Sequence, residues 1–307
     1  MIQCAYVYCR AWRADDDRPC ATCGHPRDPQ RLRDPSYVQA RISELRGLPP
    51  QLLDMHQILP RYPGIERVQL AVMDALNVRM ALLQSAPDEA TTLLGNADLA
   101  RIAGEHPDRF WVSQFTDPRF SHAIDDLKRF AAAGHRVVKL LPVAGWRADD
   151  PVFTPFFDTM ATLGLVAMVH TGFFTARHKA EEARAGAFMS SALGDPLQFD
   201  RPCRQFPGLQ VILCHTGDAV FHEQAAQMVT QHEHVWGDVS GFGLFALDRL
   251  LRGVAVDWSK LFWGNDSPPY AYPLNLRLLL GMLDKHGARH LAAPLLHDNA
   301  ARFVARW

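Results

Sequence analysis

Four of the chain's six cysteines fall within its first 23 residues: Cys4, Cys9, Cys20 and Cys23. Thiolates spaced C-x4-C-x10-C-x2-C can close on one thiophilic cation, zinc above all, which takes four sulfur or nitrogen ligands in a tetrahedron. The second pair sits in RPCATCGHP, where a tight turn aims two sulfurs at one ion and Gly24 frees the backbone to donate amide hydrogens to them. His25 is a candidate replacement for one sulfur. Four protein ligands leave no open coordination position, so such a centre is structural. The plain alternative is four reduced, half-buried thiols. Disulfides are disfavoured because the N-terminus has no secretory signal pattern. Cys203 and Cys214 stand alone in the chain and read as core residues.

A second set of chemically able residues stands at the ends of apolar runs. LVAMVHTG carries His170, VILCHTGD carries His215 and LFWGNDSP carries Asp266, while RVVKLLP contains Lys139 and QLLDMHQI holds Asp54 and His56. Imidazoles and a carboxylate brought to one place make the ligand set of a catalytic divalent metal such as zinc or manganese, with water in an open position. A single histidine near an apolar run is more often a hydrogen-bonded core residue. Two HTG tripeptides closing successive runs, followed by NDSP, are harder to assign to chance. Lys139 divides between a substrate-carboxylate anchor and a paired core lysine, with a carbamate ligand as the third option. Asp238 in WGDVSG either lines the same site or caps the following helix. His178 divides between substrate contact and plain exposure, and His232 and His234, flanking Glu233, read as a solvated face.

For these residues to meet, the ends of their runs must converge. Candidate strands cover 51–58, 78–86, 110–116, 136–142, 165–172, 209–217, 234–241 and 260–268, alternating with helical patterns such as GIERVQLAVMDAL and SHAIDDLKRFAAAG. Nearly all-apolar strands suit a parallel sheet covered by helices. Eight of them over some 250 residues predict a (β/α)8 barrel, whose strand C-termini share one mouth. A doubly wound sheet is the runner-up, weakened by the lack of a Gly-rich phosphate loop after the early strands. The division is a Cys-rich segment over 1–27, a linker and helix over 28–50, and the barrel over 51–307.

Composition narrows the classes. The chain has 307 residues, 48% hydrophobic and 21% charged, and its net charge of −1 offers no electrostatic footprint for nucleic acid or a membrane surface. No run approaches the ~20 apolar residues of a membrane span. A soluble, cytoplasmic protein is expected.

From about residue 51 onward the chain resembles the amidohydrolase superfamily, specifically its ACMSD-like group of decarboxylases and hydrolases. The matching stretches are QLAVMDALNVRMALLQS, RVVKLLP with DDPVFTPFFDTMATLGLVAMVHTG, FPGLQVILCHTGD, HVWGDVSG, LFWGNDSP and HDNAARFV. The first 27 residues resemble a zinc ribbon or rubredoxin-like knuckle, with a first half-site wider than the usual C-x2-C. The superfamily resemblance implies a barrel with one catalytic divalent metal, held by a strand-1 H-x-H pair, a strand-5 histidine and a strand-8 aspartate. His170 matches the strand-5 ligand, His215 the strand-6 histidine that polarises or orients substrate, and Asp266 the strand-8 aspartate that also handles the water's proton. Strand 1 departs from the pattern: LDMHQILP supplies His56, but Ile58 stands where the second histidine belongs. The other candidate start, IQCAYVYC, would place Tyr6 and Tyr8 in the histidine positions, and His56 is preferred. Three outcomes stay open: a site of His56, His170 and Asp266 with His215, a site completed by an unexpected residue such as a cysteine, or a barrel without metal.

The expected function is a metal-dependent hydrolase of an amide, lactone or related acyl bond in a small molecule or peptide. The alternatives are a non-oxidative decarboxylase of an aromatic or unsaturated acid and a metal-free barrel serving as a binding module. Lys139, Arg147, Arg177 and His178 are the candidate substrate contacts. The Cys-rich segment is a candidate docking surface for a protein or peptide partner, and homo-oligomerisation is left open.

Overall fold

Two short strands, β1 (Ile2–Gln3) and β2 (Trp12–Arg13), pair antiparallel at the N-terminus, and the eight strands that follow pair parallel, each beside the next in chain order. These are β3 (Leu52–Gln57), β4 (Val78–Gln84), β5 (Phe110–Phe115), β6 (Val137–Leu140), β7 (Val166–His170), β8 (Gln210–Cys214), β9 (Val235–Asp238) and β10 (Leu261–Phe262). The computed structural model describes residues 1–4, 6, 8, 9, 11–13, 16–87, 92–173 and 189–307, so Arg177 and His178 lie outside the described residues. The first and last parallel strands approach each other: the Met55 amide donates to the Trp263 carbonyl at 3.1 Å, and the Asp266 amide donates to the His56 carbonyl. The result is a near-closed (β/α)8 barrel. Of the IQCAYVYC stretch, Ile2–Gln3 pairs with β2 in a separate sheet, and β3 is the first barrel strand.

Ten α-helices fall among the described residues: α1 (Pro35–Ser43), α2 (Ile65–Leu76), α3 (Asn96–Glu105), α4 (Ala123–Ala132), α5 (Thr154–Thr162), α6 (Asp200–Gln205), α7 (Asp218–Gln231), α8 (Gly243–Leu250), α9 (Tyr272–Lys285) and α10 (Asn299–Val304). Helix α2 shows why they lie on the sheet. Ile65, Gln69, Val72, Met73 and Leu76 form its buried stripe, at the spacing of one helical face. Asn77, at φ 54°, ends it in the left-handed conformation that asparagine tolerates. Helix α1 starts on Asp34, whose carboxylate accepts from the Ser36 amide, with Pro35 preset for the first turn.

Successive strand residues point to opposite sides, which divides the core in two. One cluster lies between strands and helices and includes Val138, Val169, Val211 and Leu213. The other fills the barrel with Leu53, Met55, Leu82, Val137, Val166, Met168, Ile212, Cys214, Trp236 and Phe262. Phe303 of α10 packs on Trp236 and Phe262, with ring centroids 5.0 and 5.6 Å apart. Strand β3 breaks the alternation. Asp54 pairs with Ala81 and Gln57 with Leu83, so β3 holds one residue more than its partner, a bulge that re-aims the chain around His56.

His232 corrects the expectation of a solvated face. It is buried, with Nε2 2.8 Å from Asp200 Oδ1 and its carbonyl accepting from Lys260 Nζ at 3.0 Å. The turn before β9 is packed against α6 and the turn before β10, and the charges of this HEH stretch hid that from composition.

Candidate functional site

The strand C-termini bring His56, His215 and Asp266 together, with His170 against the His215 ring at the edge of this set. His170 ends β7, His215 follows β8, Asp238 ends β9, Asp266 lies just beyond β10, and His56 stands near the end of β3. The two HTG tripeptides stitch these ends to one another. The Thr171 hydroxyl donates to the Cys214 carbonyl at 2.6 Å and accepts from the Gly217 amide at 3.0 Å. The Thr216 hydroxyl does the same for the next strand, donating to the Asp238 carbonyl at 2.6 Å.

His56, His215 and Asp266 each offer a ligand atom within 4.8 Å of the others. His56 Nε2 is 3.3 Å from Asp266 Oδ1, and His215 Nδ1 is 3.8 Å from Asp266 Oδ2. The His170 ring lies edge-on to His215 at 4.9 Å between centroids. Each clustered imidazole is held through Nδ1. His56 Nδ1 meets Asp238 Oδ2 at 2.9 Å, and His215 Nδ1 meets the Ser240 carbonyl at 3.1 Å. In a neutral imidazole, donation from Nδ1 leaves Nε2 as the lone-pair nitrogen, the arrangement that metal-binding histidines use. Ser240 Oγ spans the two rings, 2.9 Å from His56 Nδ1 and 3.1 Å from His215 Nδ1.

The electrostatics suit a cation. Burial works against a charged His56, yet the carboxylates of Asp266 and Asp238 outweigh it and lift its pKa to about 10. Burial likewise opposes ionisation of Asp238, but His56 and the Ser240 hydroxyl hold it well below the usual carboxylate range. Burial lowers His215, which keeps that imidazole neutral. A buried carboxylate and a partly exposed one facing two imidazoles are a donor set that fits a divalent metal. Ile58, at the sequence position of the second strand-1 histidine, directly follows the bulge of β3.

Beneath this set runs a buried polar network. Asp54 accepts from the His56 amide at 2.9 Å, from the Asn265 amide at 3.1 Å and from the Tyr272 hydroxyl. Burial raises Asp54 to about 6 despite these bonds. Gln69 donates to the Tyr272 oxygen at 2.9 Å, Gln57 donates to Gln69 at 2.8 Å, and Asn265 donates to Gln57 at 2.9 Å. Asn275 closes on Asn265 from the other side, donating to its carbonyl and to its side-chain oxygen at 2.9 Å each.

Lys139 is buried in β6, and its ammonium donates to Cys214 Sγ at 3.1 Å. Cys214, expected only in the core, also stands with His56 and Asp238 in a cluster of ligand-type atoms. Arg147 pairs with Asp149 at 2.7 Å on a half-exposed surface. Ser240, Tyr272 and Asn275 escaped sequence reasoning because they act on other side chains; the only hint was the Ser-Gly after Asp238.

The four N-terminal cysteines form a second centre. Their sulfurs lie within 4.8 Å of one another, with Cys4 and Cys23 3.6 Å apart and Cys9 and Cys20 3.9 Å apart. A tetrahedral zinc at a Zn–S distance of ~2.3 Å spaces its sulfurs about 3.8 Å apart. The Cys23 hydrogen bond lowers Cys9 to about 6, whereas burial raises Cys4 to about 11. Such crowding opposes a set of bare thiolates and is relieved by a bound cation. His25 stays outside the sulfur cluster: its amide faces Cys23 Sγ at 3.4 Å and its ring stacks on Tyr6.

Comparison with known proteins places these features in context. The likeness to solved structures covers most of the chain and shows the fold. A 2,6-dihydroxybenzoate decarboxylase from Rhizobium matches with a TM-score of 0.57 at 14% identity, over 83% of this chain and 99% of that one. A 5-carboxyvanillate decarboxylase from Novosphingobium aromaticivorans, complexed with manganese and 4-hydroxy-3-methoxy-5-nitrobenzoic acid, matches at 0.56 and 13%, over 82% and 95%. A probable 2-pyrone-4,6-dicarboxylic acid hydrolase from Acinetobacter baumannii, with citric acid bound, matches at 0.55 and 15%, over 82% and 98%. No curated protein matches the sequence. The amidohydrolase family model matches residues 46–306, the whole barrel and the turn that leads into it, and the chain belongs to that family.

Proposed function

We propose that the protein is a metal-dependent hydrolase that cleaves an amide, lactone or related acyl bond in a small molecule or peptide. The observation that carries this reading is the meeting of His56, His215 and Asp266 within 4.8 Å at the strand C-termini, with His56 oriented by Asp238. His56, Asp266 and His170 hold the cation, with His215 beside them. When bound, that cation supplies Lewis acidity and a water acidic enough to ionise near neutral pH. Asp266, whose side chain is the most exposed of the cluster at 19%, takes up the proton at a carboxylate oxygen. Neutral His215, its Nδ1–H taken by the Ser240 carbonyl, orients the substrate as an acceptor through Nε2. The Lys139 ammonium anchors a substrate carboxylate. Zinc is the metal assigned to the sulfur centre, and zinc or manganese to the barrel.

A second reading is favoured by the likeness to two decarboxylases of hydroxylated aromatic acids. On the same residues, Asp266 would deliver a proton to carbon as carbon dioxide departs. The Cys-rich segment is also proposed as a docking surface for a protein or peptide partner.

Elemental analysis of purified wild type, Cys20→Ser/Cys23→Ser and His170→Ala/Asp266→Asn tests the assignment. Two metals per chain, one lost in each double variant, support it. Metal lost only with the cysteines, and no uptake on add-back, would leave a barrel that serves as a binding module. Lactones and anilides assayed beside hydroxybenzoates, with carbon dioxide as readout for the latter, separate hydrolysis from decarboxylation.

A further inference from the structure

The first cysteine pair is spaced C-x4-C, and the extra length has a visible destination. Cys4 and Cys9 both belong to the sulfur cluster, so the loop between them is fixed at its two ends. Its backbone turns back on itself, the Cys9 amide donating to the Tyr6 carbonyl at 2.9 Å. From this loop Tyr8, 5% exposed, reaches the barrel mouth, where its hydroxyl lies 3.5 Å from the Asp266 carbonyl. A Cβ on Gly241 would fall 2.6 Å from Asp266 Oδ2 and 3.2 Å from the Tyr8 hydroxyl, so phenol and carboxylate converge over that one residue. The Tyr8 ring packs edge-on against Phe242 at 5.0 Å. From the same loop the Tyr6 hydroxyl donates to Asn275 Oδ1, whose amide nitrogen holds the Asn265 carbonyl. Asp266 itself sits at φ 42°, a conformation an aspartate keeps only when its surroundings enforce it.

We propose that Tyr6 and Tyr8 are positioning residues for Asp266, bracing the Asn265–Asp266 turn from two sides, and that the four-cysteine centre fixes this brace at the barrel mouth. The proposal deepens the metal-enzyme reading and rests on it only for its effect on metal affinity. It also gives a reason for the sulfur centre: a metal between Cys4 and Cys9 fixes where the two phenols stand, so the occupancy of one centre sets the geometry of the other. The segment is docked for this role through Leu32 and Tyr37 of the linker and through Ala271 and Leu274 at the start of α9.

Full-length protein holding one zinc per chain is titrated with Mn2+, the free ion being read by electron paramagnetic resonance. Deuterium uptake over residues 263–268 is followed by mass spectrometry, with 166–170 as the remote control. For Tyr6→Phe/Tyr8→Phe, which removes two hydroxyls and keeps both rings, the expected result is unchanged zinc content and melting temperature. The Mn2+ dissociation constant rises about tenfold, within the usual range for residues that orient a ligand, and 263–268 exchanges faster while 166–170 does not. Cys9→Ser, which releases one end of the loop, shifts both readouts the same way. Wild-type affinity and exchange in the double Phe variant overturn the proposal, as does a Tyr8→Ala defect that Tyr8→Phe fully repairs. A wild type that takes up no Mn2+ refutes the metal-enzyme reading instead, and the exchange comparison then decides the brace alone.

Discussion

Replacing Asp238 with asparagine changes one atom and reverses one hydrogen bond. Oδ1 of Asp238 faces three donors: the His215 amide at 3.0 Å, the Ser240 amide at 2.9 Å and the Ser240 hydroxyl at 2.5 Å. An asparagine must place its oxygen there, because its NH2 would meet two backbone N–H groups that cannot turn away. The NH2 is then forced onto His56 Nδ1, where the carboxylate accepted at 2.9 Å. A donor at that point makes Nδ1 the acceptor and moves the proton to Nε2, the nitrogen that faces Asp266 at 3.3 Å. His56 can then no longer offer a lone pair to a metal. Loss of an orienting partner of this kind costs about 10–100-fold in metal affinity, or ~1.4–2.7 kcal/mol. Asp238→Ala acts differently: it strands three donors at roughly 1–3 kcal/mol each, so its loss is chiefly of fold stability, about 3 kcal/mol or more. Chelator competition gives the affinities and thermal melting in chelator gives the stabilities. The expected order is asparagine worse than its stability loss explains, and alanine worst in melting. Wild-type metal affinity in Asp238→Asn would refute the tether and, with it, His56 as an Nε2 ligand.

Gly264→Ala places a Cβ 2.3 Å from His56 Cβ and 2.7 Å from its backbone nitrogen, so the two barrel ends must part. A loss of about 1–3 kcal/mol or more is expected by calorimetry, together with weaker metal binding. Gly281→Ala, in the interior of α9 with nothing within 4 Å of the new methyl, should instead gain about 0.4–1 kcal/mol, and a lower melting temperature would count against the packing there. Burial opposes ionisation of Asp248, but bonds from His286, Arg252 and Lys285 hold it well below the usual carboxylate range. A lowered folded-state pKa adds stability above the unfolded value near 4 and forfeits it as pH falls through the folded one. Wild type should therefore exceed Asp248→Asn by about 1 kcal/mol at neutral pH, the gap narrowing in acid; a constant gap in urea titrations from pH 7 to pH 3 would contradict this.

The barrel was legible because its strands are apolar on both faces, and runs such as VVKL and VAMVH have nowhere to lie but between helices and a filled interior. Their ends were less legible. HTG and GNDSP look like continuations of a strand, yet His215 and Thr216 turn to φ 62° and 44°, and β10 stops at Phe262 because Gly264 must pass against His56. His170, His215 and Asp266 could be named from run ends alone. His56 was named without its mechanism, since alternation in LLDMHQ says nothing of a bulge that one extra residue creates against β4. The reach of Tyr8 to Asp266 joins residues 258 apart. No periodicity encodes such a contact; the one local signal was a first cysteine pair spaced too widely for a knuckle, with two tyrosines inside it.

Strain and support occur at the same places in this molecule. His215, Thr216, Asp218 and Asp266 all have positive φ, and Thr216 is β-branched, the least suited of the four. Each such residue costs on the order of 1 kcal/mol, so a chain free to relax would not keep four of them at one end of a barrel. What holds them is connectivity. Thr216 is bound by its hydroxyl to the Asp238 carbonyl, His215 by its amide to the Asp238 carboxylate, and Asp218 through Oδ2 by the Phe173 amide at 2.6 Å. Asp266 is held by its own amide on the His56 carbonyl and, through Asn265, by Asp54, Gln57 and Asn275. The network thus runs from the buried side chains of Asp54, Gln57 and Asn275 to His215 and Asp266 of the ligand cluster. A site built this way keeps its imidazoles and carboxylate in place before any ligand arrives, and substitutions at Asn265, Asn275 or Tyr272 should weaken metal binding without touching a metal.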